Sequence, residues 1–138
     1  PAGLDGGGTS IRMEGYVDES RRLALTREAT AVAYPTLDEG FGLPILEAMS
    51  VGTPVMSGSH SSLAEVGGEA VCQIDPTSVT SLSEGLRQLL TEPGLRTSLT
   101  QQGLVNVRRF CWSRSAKMSG RIFMRARERI DRRRHRVA

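Results

Sequence analysis

A chain of 138 residues, 38% hydrophobic and 24% charged, is long enough for one domain with a real core and short for two. No apolar run reaches the roughly 20 residues of a transmembrane helix and no charged-then-apolar leader opens it, so it reads as a soluble, cytoplasmic protein. The net charge of +3 conceals an asymmetry, because residues 1–107 hold 6 Lys/Arg against 13 Asp/Glu and residues 108–138 hold 12 against 2. Cys72 and Cys111 lie far apart without metal-ligand spacing, which predicts two reduced thiols and no metal site.

Residues 1–10 contain Gly6, Gly7 and Gly8 but neither the lysine nor the strand of a phosphate-binding loop, and are expected to be a flexible connector. Residues 11–17 (IRMEGYV) alternate apolar and polar and predict a strand, after which Asp18 caps a helix over 19–28. Residues 30–34 (TAVAY) read as a short buried strand closed by Pro35. A helix over 43–51 follows, with Pro44 in its first turn and Gly52 at its end. Residues 54–57 (PVMS) form another strand, residues 63–66 a helical turn, and residues 70–74 (AVCQI) a fourth strand ending at Asp75-Pro76.

Beyond Thr77 the period changes. Val79, Leu82, Leu86, Leu89 and Leu90 recur at helical spacing, with Thr77 or Ser78 as the cap. Glu92-Pro93-Gly94 breaks this helix, and Leu95, Leu99, Val105 and Phe110 suggest a second one despite Gly103. A third spans 113–133, with Phe110 and Trp112 expected to anchor it on the domain and its arginines to solvate it. Strands alternating with helices predict an α/β fold with a parallel sheet, whose ligands bind beyond the carboxyl ends of the strands.

The loop after Tyr34 therefore carries the main interest. Gly40 and Gly42 suit unusual backbone angles and close approach, and the following helix start offers unpaired N–H groups and a positive dipole end to a phosphate. Glu39 precedes that helix and Glu47 lies about one turn inside it. Carboxylates bind phosphate poorly and sugar hydroxyls well, so two acids flanking such a backbone suggest a nucleotide sugar. His60, a lone histidine in a serine-rich loop, is left outside the site; Ser61 and Ser62 serve either as site lining or as turn formers.

Glu39 and Glu47 form the E-x7-E pattern of retaining GT-B glycosyltransferases, and the stretch YPTLDEGFGLPILEAMSVGTPV (34–55) resembles that family's central signature. SSLAEVGGEA (61–70), Asp75-Pro76 and FCWSRSA (110–116) are similar to its downstream landmarks, in order. The resemblance covers roughly 11–129 and departs at Ala64, where proline is usual, and at Met13 and Met56. It implies that Glu39 contacts the donor sugar and is the catalytic position, that the backbone of Gly40, Phe41, Gly42 and Leu43 lines the sugar diphosphate, and that Glu47 holds the ribose. It implies a metal-free transfer without a cofactor, a nucleotide-diphosphate sugar being the donor substrate.

The fold implied is a partial Rossmann-like parallel sheet, the C-terminal GT-B domain without its first two strands, followed by a helical C-terminal segment. The expected division is 1–10, 11–112 and 113–138. If the four strands were the third to sixth of the order 3-2-1-4-5-6, the sheet would have a gap between the first two of them. An open edge of that kind predicts a homodimer. The family's Arg and Lys that clamp the diphosphate, and its acceptor-binding half, lie upstream of the matched region, so the chain alone is expected to bind donor without transferring sugar. A non-catalytic, self-associating module is the alternative. The basic tail lacks interleaved aromatics, so no nucleic-acid partner is expected and membrane contact is the weaker option.

Overall fold

A computed structural model describes residues 11–134, with only the backbone of residues 130, 131, 133 and 134. The connector expected at 1–10 and the end of the basic tail lie outside the described residues. The elements run α1 (Glu19–Glu28), β1 (Val32–Tyr34), α2 (Leu43–Ser50), β2 (Val55–Gly58), α3 (Ser61–Gly67), β3 (Cys72–Ile74), α4 (Val79–Thr91), α5 (Pro93–Asn106) and α6 (Trp112–Arg134). Short 3-10 turns at Gly68–Ala70 and Val107–Arg109 follow α3 and α5.

The strand expected over 11–17 does not form. Gly15 has φ +66, and Ile11, Met13 and Tyr16 are all exposed. Apolar alternation makes a strand only where a neighbour supplies a ladder and a buried face, and this segment has neither. The sheet described is therefore three-stranded, parallel and in the order β1-β2-β3, without the expected gap. Val32 pairs with Val55 and Tyr34 with Ser57; Met56 pairs with Cys72 and Gly58 with Ile74.

All four residues of β2 are buried, as a central parallel strand covered on both faces requires. Val55 joins Ile45, Leu46, Ala48 and Met49 of α2 and Leu63 and Val66 of α3 on one face. Met56 joins Cys72, Ile74, Leu89 of α4 and Leu99 of α5 on the other. Threonine hydroxyls tie the loop before β2 to the helices around it: Thr53 donates to the Thr26 carbonyl at 2.8 Å, and Thr100 to that of Gly52 at 3.0 Å. Asp18 caps α1 by accepting from the Arg21 N–H at 2.7 Å, and Ser78 caps α4 by accepting from that of Ser81 at 3.2 Å. Both cysteines are free thiols, Cys72 buried and Cys111 exposed.

Two helices bury only part of the faces expected, with Leu82 and Leu89 of α4 and Leu95 and Leu99 of α5 packing as predicted. In α4, Gly85 and Leu89 are buried while Val79, Leu86 and Leu90 stay exposed. In α5, Leu99, Gly103 and Asn106 are buried and Val105 is exposed. Gly103 lies against Met49, which explains a glycine inside the helix. Trp112, an expected anchor, is 81% exposed, whereas Phe110 does pack against the core.

The approach of α4 to the sheet depends on Gly85. A Cβ there would stand 2.6 Å from Ile74 Cγ2 and 2.7 Å from Met56 Sδ. Gly85→Ala should therefore lower stability by about 1–3 kcal/mol through overpacking, despite the better helix propensity of alanine. Gly94→Ala, facing open space, should not lower it. Urea midpoints at constant m-value measure both.

Candidate functional site

All three strands run the same way, so the loops after Tyr34, Gly58 and Ile74 open at one end of the sheet. Loop 35–42 leads directly into α2. Gly42 at its end has φ +94 and ψ 38, and an added Cβ would meet Leu63 Cδ2 at 3.1 Å. The position thus excludes a side chain both by backbone angle and by space. Gly40 lacks the unusual angle expected of it and faces open space. At the start of α2 Pro44 has no N–H to offer and that of Ile45 donates to the Gly42 carbonyl at 3.1 Å, which leaves the Leu43 N–H at the positive dipole end.

Glu39 is held from several sides. The Tyr34 hydroxyl donates to its Oε2 at 2.5 Å, and the Gly40 N–H to its Oε1 at 3.1 Å. Its own N–H donates to Asp38 Oδ1 at 2.9 Å, and the Ser62 hydroxyl donates to its carbonyl at 2.6 Å. His60 Nε2 contacts the Leu37 carbonyl. The following residue, Ser61, takes φ +52, a left-handed backbone that costs a non-glycine residue about 1 kcal/mol or more. Side chains from β1 and the start of α3 thus fix the loop that carries Glu39. Asp75, at the end of β3, has its carboxyl held below the usual range, first by the Thr77 hydroxyl, then by the Thr77 N–H, with a smaller pull from His60.

Glu47 lies on α2 and forms an ion pair with Arg22 of α1, both side chains being partly exposed. Its carboxylate is thus engaged yet open to solvent, and an exposed pair of this kind contributes little stability. Phe41, also in the loop, packs edge to face on Phe110 with ring centroids 5.9 Å apart at 82°. Arg109 lies over the Phe110 ring at 5.4 Å and donates to Asn106 Oδ1 at 2.9 Å. The buried Asn106 Nδ2 in turn donates to the Val66 carbonyl at 2.7 Å. Leu43 is exposed beside Phe41 at the mouth of the same loop.

The expected site residues, Glu39, Gly40, Phe41, Gly42, Leu43 and Glu47, therefore occupy one loop and the first turns of one helix. Sequence reading missed Tyr34, Arg22 and Phe110. Tyr34 ends a strand where a hydroxyl can reach the next loop, a signal available in the sequence. Arg22 has none, since 25 residues separate it from Glu47. Among the described residues no three His, Cys, Asp or Glu side chains gather to hold a metal ion. No described helix is long and apolar enough to cross a membrane.

Glu39 also governs the titration of its neighbour. The hydrogen bond to its carboxylate raises Tyr34 from 10.0 to about 12, with burial and the same negative charge as lesser causes. A raised folded-state value stabilises the fold below pH 10 and loses that contribution as pH rises from 10 to about 12. Phenolate absorbance should show a late step near pH 12 that Tyr34→Phe removes and Glu39→Gln moves down.

Comparison with known proteins fits this layout. Residues 5–104 match the family described as Glycosyl transferases group 1. The chain is 41% identical over 102 residues to O-antigen chain mannosyltransferase B of Escherichia coli, covering 74% of this chain and 27% of that protein. It is 31% identical over 133 residues to D-inositol 3-phosphate glycosyltransferase of a Nocardioides species, covering 93% and 29%. Among solved structures, sucrose-phosphate synthase from Thermosynechococcus elongatus superposes with a TM-score of 0.70 at 26% identity, over 81% of this chain and 29% of that one. The chain spans less than a third of the length of each of these relatives. With the family matched across most of its length and its parallel α/β layout shared with a solved relative, the chain belongs to the group 1 glycosyl transferases.

Proposed function

We propose that the chain is the donor-binding portion of a hexosyltransferase that uses a nucleotide-diphosphate sugar and retains configuration. The observation that carries this reading is the placement of Glu39 and Glu47 on either side of the α2 N-terminus, at the carboxyl end of the sheet. The diphosphate sits against the backbone of Gly40–Leu43, where N–H groups and the helix dipole favour negative charge. Glu47 accepts from the ribose hydroxyls, which compete with Arg22 for its oxygens. Glu39, positioned by Tyr34, accepts from hydroxyls of the sugar.

As the glycosidic bond breaks, charge develops on the departing diphosphate and fixed donors there stabilise it. No covalent sugar–enzyme intermediate belongs to this scheme. The acceptor half and the cationic clamp on the diphosphate belong to polypeptide beyond this chain, which alone binds donor and transfers nothing. The likeness to an O-antigen chain mannosyltransferase makes mannose-bearing nucleotides the first donors to try.

Calorimetric titration with UDP, GDP and ADP and their sugars tests this. Glu47→Ala should weaken nucleotide and nucleotide sugar alike, by about tenfold or more, the loss of a hydrogen bond to a charged group. Glu39→Ala should weaken only the sugar-bearing forms to a similar degree. Absence of binding to every nucleotide would sink the reading.

The open edge of β1 favours a second reading, a self-associating module without catalysis. It predicts a dimer in sedimentation that Ala33→Pro, on the exposed centre of β1, disrupts. A monomer at all accessible concentrations counts against it.

A further inference from the structure

Between Glu39 and α2 the loop reads Gly40-Phe41-Gly42, one side chain flanked by two glycines. Glycine lets a ligand approach the backbone closely, but it also samples more conformations than any other residue and loses more entropy when fixed. Gly40 gives the loop nothing to pack with, since even a Cβ added there would meet open space. The Phe41 ring does, through its edge-to-face contact with Phe110, centroids 5.9 Å apart at 82°.

Phe110 is itself held in place. It packs against the core formed by α2 and α3, and its N–H donates to the Val107 carbonyl at 3.1 Å. Arg109 lies over its ring at 5.4 Å, and that guanidinium donates to Asn106 Oδ1 at 2.9 Å. The buried Asn106 is fixed in turn by donating to the Val66 carbonyl of α3 at 2.7 Å. A loop ring that is 43% exposed thus rests on a partner that the interior keeps in one position.

We propose that Phe110 is a positioning residue for the donor: through the Phe41 ring it fixes the backbone of Gly40–Leu43 in the conformation that receives the diphosphate. This role depends on the donor site proposed above and adds to it the part of the chain that shapes its phosphate end. Phe110 touches no ligand in this scheme. It removes beforehand the backbone freedom that the two glycines would otherwise lose on binding, which is how a preorganised loop gains affinity. Glu47 sits on α2 and takes its position from the helix, so recognition of phosphate and of ribose should respond separately to substitution.

Calorimetry with the tightest binder among UDP, GDP and ADP, and with the monophosphate of the same nucleoside, reads the two ends apart. Phe41→Leu and Phe110→Leu keep apolar bulk without a ring. Each should weaken the diphosphate about threefold to tenfold, the range an edge-to-face aromatic pair allows, and the monophosphate less than about twofold. Glu47→Ala should weaken both ligands, and Phe110→Tyr should bind like the parent. Phe41→Leu and Phe110→Leu together should be no weaker than either alone, because both remove one contact. Should Phe110→Leu lower the urea midpoint, Phe41→Leu decides, its ring being partly exposed. Unchanged diphosphate affinity in Phe41→Leu, equal losses for the two ligands, or additive effects of the two substitutions overturns this role while leaving the donor site standing. Absence of binding to every nucleotide overturns both.

Discussion

Everything in this molecule is arranged around β2, a four-residue strand buried throughout and paired in parallel on both sides. Parallel neighbours cannot be joined by hairpins, so each connection crosses back through a helix. The crossovers α2 and α3 cover one face and α4 and α5, which follow β3, cover the other, which is why Val55 and Met56, adjacent in sequence, belong to separate cores. The same constraint brings the ends of all three strands together at one edge. A loop that leaves Tyr34 and turns into α2 has no other place to lie than beside the loops carrying His60 and Asp75.

At that edge the two carboxylates are held to different degrees. Glu39 is partly buried and receives hydrogen bonds from Tyr34 and from its own loop, while Ser62 secures the backbone beneath it. Such a carboxylate is fixed before any ligand arrives, the form in which oriented polar groups act most effectively. Glu47 has one exposed, exchangeable partner in Arg22, and its position follows from the helix rather than from contacts around the side chain. Phe41 joins the loop through Phe110 to the 3-10 turn that follows α5, two residues before α6 begins. The loop and the exposed basic helix therefore share one point of attachment.

Periodicity and punctuation located most elements. The Asp18 cap, the Pro35 stop, Pro44 in the first turn of α2 and the Glu92-Pro93-Gly94 break all correspond to real boundaries, because these signals act through backbone angles and caps within a few residues. Residues 11–17 misled for the opposite reason: a strand exists only with a partner, and no local pattern reports whether one is present. Likewise Val105 and Trp112 looked like packing residues by type, yet the axis of each helix turns them to solvent.

The sequence by itself determined the order of strands and helices, the loop in which Glu39, Gly42 and Glu47 lie, and the division between an acidic body and a basic helix. Tertiary structure alone decided that three strands rather than four build the sheet, that Arg22 meets Glu47 and that Phe110 supports Phe41. The first set depends on steric and capping rules spanning a few residues, and on composition. The second depends on which distant surfaces meet once the two faces of β2 are covered, and that is settled by packing volume at sites such as Gly85 against Ile74.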